Sequence, residues 1–222
     1  MILSEFQGVD VTTARRRLPE WLKVKMPGGA NYRQLENLLK GASLHTVCEE
    51  ALCPNIGECW DRGTATFMIL GDVCTRACGY CAVTSGRPTG LDLQEPARLA
   101  ETAAKMNLQY VVITSVNRDD LPDGGAFIFA QCILQVRKRL SQCKVEVLIP
   151  DFEGNWDALR TVMEVQPDTL NHNIETVQRV FNRVRPKGDY TRSLNLLAKA
   201  KEIDHKAVTK SGLMVGLGET KD

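Results

Sequence analysis

Residues 63–81 read GTATFMILGDVCTRACGYC, and two signals lie back to back in them. The first is a short apolar run, Thr64-Ala65-Thr66-Phe67-Met68-Ile69-Leu70, bounded by Gly63 and Gly71. A run of that length between glycines reads as a buried strand. The second is the trio Cys74, Cys78 and Cys81, spaced Cys-x3-Cys-x2-Cys. Parallel α/β folds gather their chemistry at the C-terminal ends of strands, which is where this trio falls. Three thiolates on one short loop can hold three corners of an iron–sulfur cube. The fourth iron is then open to bind something else.

Downstream of the trio, strands and helices alternate. Residues 95–107 are helical in composition, with Asp92 and Glu95 set like a capping box. The β-branched run YVVITS, residues 110–115, predicts a second strand. Ala126, Phe129, Ile133, Val136 and Leu140 recur at helical spacing and predict a helix over 126–140. Residues 144–149 read as a third strand, 155–165 as a helix and 168–173 as a fourth strand. Residues 191–203 read as a helix with Leu194, Leu197 and Ala198 inward, and 208–217 as a fifth strand. Strands separated by helices pair in parallel through right-handed crossovers. The expected fold class is therefore α/β, as a partial parallel (β/α) barrel or a doubly wound sheet. Polar segments follow each strand, at 72–81, 117–125, 150–154 and 172–175, so the second trio should face them at one mouth.

Residues 1–61 read as an N-terminal extension. It holds Arg15-Arg16-Arg17, the breaker Pro27-Gly28-Gly29, a short helix over 31–40 and an irregular stretch over 43–61. That stretch carries a second set of thiols, Cys48, Cys53 and Cys59. Residues 62–222 form the barrel portion. No internal repeat or low-complexity tract is present.

The 222 residues are 43% hydrophobic and 25% charged, an ordinary globular balance able to bury a core without covalent staples. A net charge of +1 gives no electrostatic case for nucleic acid or a membrane surface. No apolar run approaches the roughly 20 residues of a membrane span, and the first ten residues lack a secretory pattern. Eight cysteines in such a chain point to a reducing compartment, the cytoplasm, where clustered thiols bind metal or do chemistry. Thiolates suit zinc as well as iron–sulfur groups. Each trio falls one ligand short of a zinc knuckle pair, and zinc held by one trio plus a distant histidine is the other reading. Cys132 and Cys143 read as small core hydrophobes.

Taken together, these segments resemble the radical S-adenosylmethionine superfamily, and within it the lipoyl synthases. The resemblance is carried by LPEWLKVK at 18–25, CEEALCPN at 48–55, GECW at 57–60 and the second trio with Tyr80. It continues through TSVNRDDLPDGG at 114–125, NHNIET at 171–176, VRP at 184–186 and SGLMVGLGET at 211–220. It implies a partial barrel of the radical SAM type with two [4Fe-4S] clusters and S-adenosylmethionine. Cys74, Cys78 and Cys81 would hold the catalytic cluster, whose reduction splits the cofactor to methionine and a 5′-deoxyadenosyl radical. Cys48, Cys53 and Cys59 would hold an auxiliary cluster that gives up sulfur. The substrate it implies is an octanoyl chain on a lysine of a lipoyl carrier domain, from a dehydrogenase complex E2 or the glycine cleavage H protein. Sulfur enters at carbons six and eight, and a ferredoxin or flavodoxin supplies electrons.

Tyr80, Asn117, Glu175 and Arg185 are the candidate cofactor contacts. A local Glu175–Arg185 ion pair, and a turn role for Asn117, are the plainer alternatives. His172 is a candidate cavity-lining residue, while Gly216 and Gly218 either admit the cofactor or end a strand. In the family, the auxiliary cluster's fourth ligand is a serine in an Arg-Ser-Ser segment near the C-terminus. This sequence has no such segment and no sixth barrel strand, so a further C-terminal part is expected. Rival readings are another radical enzyme that inserts sulfur into a free small molecule, and a non-catalytic iron–sulfur or metal-binding module.

Overall fold

The computed structural model describes residues 19–20, 23, 44–50 and 53–220. The helix expected over 31–40, the basic run Arg15-Arg16-Arg17 and the breaker at 27–29 lie outside them. One six-stranded sheet organises the described chain. Its strands are β1 (His45–Thr46), β2 (Thr64–Ile69), β5 (Tyr110–Ser115), β6 (Lys144–Leu148), β7 (Thr169–Asn171) and β8 (Thr209–Lys210), in that spatial order. β1 pairs antiparallel with β2, and every later pairing is parallel. A small parallel pair, β3 (Val73–Cys74) with β4 (Thr84–Ser85), brackets the second cysteine trio. The sheet is open, as expected of an incomplete barrel.

The register explains the burial. Phe67, Ile113, Val147 and Leu170 stand in one row across four strands, and all are buried. Helices α3 (Glu95–Lys105), α4 (Ala126–Arg139) and α5 (Trp156–Glu164) cover the core that this row belongs to. They contribute Leu99 and Ala103, Phe129 and Ile133, and Leu159 and Val162. Burying side chains of this size stabilises by about 1.5–3 kcal/mol each, which makes that face the main source of cohesion. The next row, Met68, Thr114, Leu148, Asn171 and Lys210, points to the opposite face. α5 is capped by Asn155, whose side chain accepts from the N–H groups of Asp157 and Ala158 at 3.1 Å. Among the described residues the other α-helices are α1 (Val47–Glu50), α2 (Ile56–Asp61), α6 (Gln178–Val184) and α7 (Tyr190–Ile203), with a short 3-10 turn at Phe152–Gly154.

Several expectations need correction. Within the stretch expected to be irregular, the described residues 44–50 and 53–61 include β1, α1 and α2. The fifth strand shrinks to Thr209–Lys210, followed by a single parallel bridge between Glu175 and Leu213. Glycines at 212, 216 and 218 interrupt it, the last two at φ 96° and 107°. On α7 the inward residues are Ser193, Leu196 and Ala200, whereas Leu194 is exposed. The Asp92 half of the expected capping box forms, its carboxylate meeting the Glu95 N–H. Glu95 is buried and accepts the Leu70 N–H at 2.9 Å, while Asp92 accepts from Gln94 and pairs with Arg98. Cys132 and Cys143 are buried, as small hydrophobes would be.

Candidate active site

The second trio sits on a loop fastened to the ends of two parallel strands and one helix. Thr75 donates its N–H to the Asn117 carbonyl at 3.0 Å, just past β5. The Thr75 hydroxyl reaches Asp119 at 2.8 Å. Gly79 donates to Val184 O at 2.9 Å at the end of α6, and Lys187 Nζ donates to Thr75 O at 2.7 Å. Arg76, between two of the cysteines, is the central fastening. Its Nε and Nη2 grip the Asp119 carboxylate at 2.9 and 2.8 Å, and Nη2 also reaches Asp151 at 2.7 Å. Asp151, fully buried after β6, further pairs with Arg192 at 3.3 Å. Burial pushes the Arg76 pKa down, but hydrogen bonds to Asp119 and Asp151 more than reverse this, so the guanidinium stays charged.

None of Arg76, Asp119, Asp151 and Arg192 was a candidate from sequence. The available signal was charge at matching places: a lone arginine in the cysteine loop and carboxylates directly after the second and third strands.

The loop roofs a cavity of about 290 Å³. Cys74, Cys78, Cys81, Tyr80, Asn117, Glu175 and Arg185 all line it, so the candidates for this site are brought together. Its remaining wall is largely apolar, including Met68, Leu148 and Ile149. Cys74 Sγ accepts the Arg76 and Asn117 backbone N–H groups at 3.4 and 3.3 Å, and the Asn117 amide at 3.8 Å. Asn117 is thus at the thiols rather than merely in a turn. Burial raises the Cys78 pKa, Arg185 and a hydrogen bond from Tyr80 lower it, and Cys81 and Cys74 push it up again. Mutual repulsion of that kind requires the three sulfurs to be neighbours.

Glu175 adopts φ 69°, unusual for a residue with a side chain. Its backbone is pinned in that shape: its N–H donates to Gly212 O at 3.0 Å and its carbonyl accepts from Met214 at 2.8 Å. Burial raises its carboxyl pKa, and hydrogen bonds from Tyr80 and Asn173 partly offset this. Arg185 donates to Asn173 O at 2.9 Å and lies 5.9 Å from the Phe181 ring centre. It lowers the Glu175 pKa from a distance, but its own hydrogen bond goes to the backbone.

His172 is fully buried at the cavity wall. Its Nδ1 lies 2.8 Å from Ile149 O, and a carbonyl can only accept, so Nδ1 carries the proton and Nε2 is a bare acceptor. Burial pulls its pKa down to about 4. Gly218 is closed in by Arg183, 2.7 Å from where a Cβ would stand, while Gly216 is open.

The first trio is divided between the start of α1 and the segment through α2. Cys53 donates its N–H to Cys48 O at 3.1 Å. Burial raises the Cys59 pKa, followed by repulsion from Cys48 and Cys53, so these thiols also neighbour one another. Val47, adjacent to Cys48, lines the cavity.

The donor set fits an iron–sulfur cluster with a polar ligand. The thiols are free, backbone N–H groups point at one of them, and four cavity-lining residues carry a buried polar atom without a partner. Those atoms are Arg76 Nη1, Ser115 Oγ, Asn117 Oδ1 and His172 Nε2. Among the described residues no three cysteine, histidine or carboxylate side chains converge on a single metal-ion position.

A sequence model of the Radical SAM superfamily matches residues 68–222, and one of the N-terminal domain of lipoyl synthase matches residues 6–53. The lipoyl synthase of Chloroflexus aggregans is 57% identical over 213 residues, spanning 96% of this chain and 70% of the relative. The chain belongs to the lipoyl synthase family. The lipoyl synthase of Chloroflexus aurantiacus agrees, at 58% identity over 94% of this chain and 68% of its own. Among solved structures, the FeFe-hydrogenase maturase HydG from Carboxydothermus hydrogenoformans superposes with a TM-score of 0.58. It does so at 15% identity, covering 85% of this chain and 49% of that one, a likeness of fold. As a lipoyl synthase family member the chain is a radical SAM sulfurtransferase, a class that uses S-adenosylmethionine and a [4Fe-4S] cluster.

Proposed function

We propose that this chain inserts two sulfur atoms into an octanoyl chain carried on a lysine of a lipoyl domain, with its two cysteine trios in separate roles. The observation that carries the assignment is the convergence of Cys74, Cys78, Cys81, Tyr80, Glu175 and Arg185 on one cavity. Cys74, Cys78 and Cys81 hold the catalytic [4Fe-4S] cluster. Cys48, Cys53 and Cys59 of the 1–61 extension hold a second one, and the barrel portion, 62–222, carries the rest of the site. When bound, these groups and S-adenosylmethionine supply an alkyl radical, formed by one-electron reduction, and sulfur.

The protein's own part is placement. The charged Arg185 suits the cofactor's carboxylate. Glu175, held in its unusual conformation, suits the ammonium group, and Tyr80 orients that carboxylate through its hydroxyl. The Asn117 amide sits at Cys74 Sγ, where it would help hold the cluster-bearing thiolate. Met68, Leu148 and Ile149 keep water from a reactive carbon centre. An unactivated methylene has no acidic proton, so base catalysis could not do this work.

The partner is an octanoylated carrier domain, of a dehydrogenase complex E2 or the glycine cleavage H protein, and the reductant a ferredoxin or flavodoxin. Free thiols at all eight cysteines suit the cytoplasm. Among the described residues no helix is long and apolar enough to cross a membrane.

The test is anaerobic reconstitution with iron and sulfide, then dithionite and S-adenosylmethionine. 5′-Deoxyadenosine should form. Cys78→Ala should abolish it, while Cys53→Ala should leave at least part. Equal loss in both variants would mean the trios share one job, and zinc uptake in place of iron would sink the enzymatic assignment.

A further inference from the structure

The cavity beneath the cysteine loop ends on a shelf. Met68 of β2, Thr114 of β5 and Leu148 of β6 are register partners on adjacent strands, and all three line the cavity. The Thr114 hydroxyl donates to the Leu148 carbonyl at 3.1 Å, so the shelf's polar group is already engaged.

Two residues before Leu148, on the same face of β6, the chemistry changes. Glu146 is buried, and its carboxylate accepts from Tyr110 Oη at 2.7 Å, Asn171 Nδ2 at 3.1 Å and Lys210 Nζ at 2.8 Å. One carboxylate thereby ties β6 to β5, β7 and β8. An alkyl end forced past the shelf would have to break that layer and leave a buried charge short of partners, which is strongly unfavourable.

A primary alkyl radical takes hydrogen from almost any C–H bond it meets. Which carbon reacts is therefore decided by how far the substrate chain enters, and depth needs a stop at the far end. We propose that Met68 and Leu148, backed by the Glu146 layer, form the end stop that selects acyl chains of octanoyl length. The inference rests on the octanoyl-carrier reading above.

The experiment gives the reconstituted chain hexanoyl-, octanoyl- and decanoyl-lysine peptides deuterated along the acyl chain. It compares formation of deuterium-bearing 5′-deoxyadenosine, which counts hydrogen taken from the peptide, with total 5′-deoxyadenosine, which counts cofactor cleavage. Each methylene in an apolar pocket is worth roughly 10–200-fold in discrimination. The parent should favour octanoyl over decanoyl by at least about tenfold. Leu148→Ala removes three carbons from the shelf and should close or invert that ratio. Leu148→Phe should shift preference toward hexanoyl, and Met68→Ala should act in the same direction as Leu148→Ala even if the phenylalanine variant does not fold.

A uniform drop across all three peptides would overturn the end stop. So would an unchanged length order with a raised KM for S-adenosylmethionine, since the shelf would then underlie the cofactor. A parent that turns over none of the peptides, while still cleaving S-adenosylmethionine, would remove the octanoyl reading and the end stop with it. The first two results leave that reading standing.

Discussion

Arg76 and His172 show what a residue's neighbours add to its identity. Spacing alone marks the cysteines on either side of Arg76, because ligand geometry repeats in sequence. Its own role depends on Asp119 and Asp151, brought to it from other strand ends, and no local pattern announces that. His172 was legible only as a polar group near the mouth. Its tautomer follows from one contact, the Ile149 carbonyl at Nδ1, and its neutrality from full burial.

That neutrality has a measurable consequence. The folded pKa lies near 4 against about 6.5 in an unfolded chain, so the unfolded state takes up the proton first as pH falls. Stability from this group is fully present above pH ~6.5, declines as pH drops from there toward ~4, and levels off below. The whole effect is about 3 kcal/mol. Urea unfolding from pH 7.5 to 4 in parent and His172→Gln chains should show this slope in the parent and its loss in the variant. Parallel curves would mean that His172 takes up its proton as readily in the fold as in the unfolded chain.

At the scale of elements, long periodic segments were readable and short ones were not. α4 and β5 emerge within a residue or so of where spacing puts them, because each repeats its pattern several times. α1, α2 and α6 run four to seven residues, too short for a helical period to register, and tertiary packing decides them. Half of the capping box was readable, since the Asp92 carboxylate meets the Glu95 N–H. Glu95 has a better use holding the Leu70 N–H, in a turn where Leu70 itself sits at φ 70°.

That turn, leading from β2 into the cysteine loop, is packed by the start of α4. A Cβ on Gly125, at φ 89°, would stand 2.2 Å from Leu70 Cδ1. Gly125→Ala should therefore cost about 2–4 kcal/mol, from backbone strain and overpacking together. Gly90→Ala is the control. Gly90 has φ 75° but nothing within 4 Å, so only strain of about 1 kcal/mol is expected. Equal losses in denaturant melts would show that the contact with Leu70 contributes nothing.

At the scale of the whole molecule, parallel order and the site's position at the strand ends followed from alternation alone. The antiparallel edge strand β1 did not, since two residues carry no pattern, and it draws the extension's thiols toward the cavity by joining β2. The split of the six cysteines into two neighbouring sets was readable from spacing. Their convergence with Glu175 and Arg185 required the register of five strands.

The fastenings of the cysteine loop also set an order in time. Thr75, Arg76 and Thr75 again find their partners 42, 75 and 112 residues further along, at Asn117, Asp151 and Lys187. A ribosome delivers the cysteines first and the residues that shape their loop last. Closing such long loops is entropically costly until the intervening strands have paired. Chains stalled on the ribosome with Lys187 still inside the exit tunnel should take up little iron at Cys74, Cys78 and Cys81, and chains stalled well beyond it should load. Labelled-iron uptake by the two sets of stalled chains measures this, and equal loading would show the loop forms unaided. On the proposed assignment of the three cysteines, iron delivery waits for the sheet, so a shortage of folding capacity and a shortage of iron would leave the same unloaded chain.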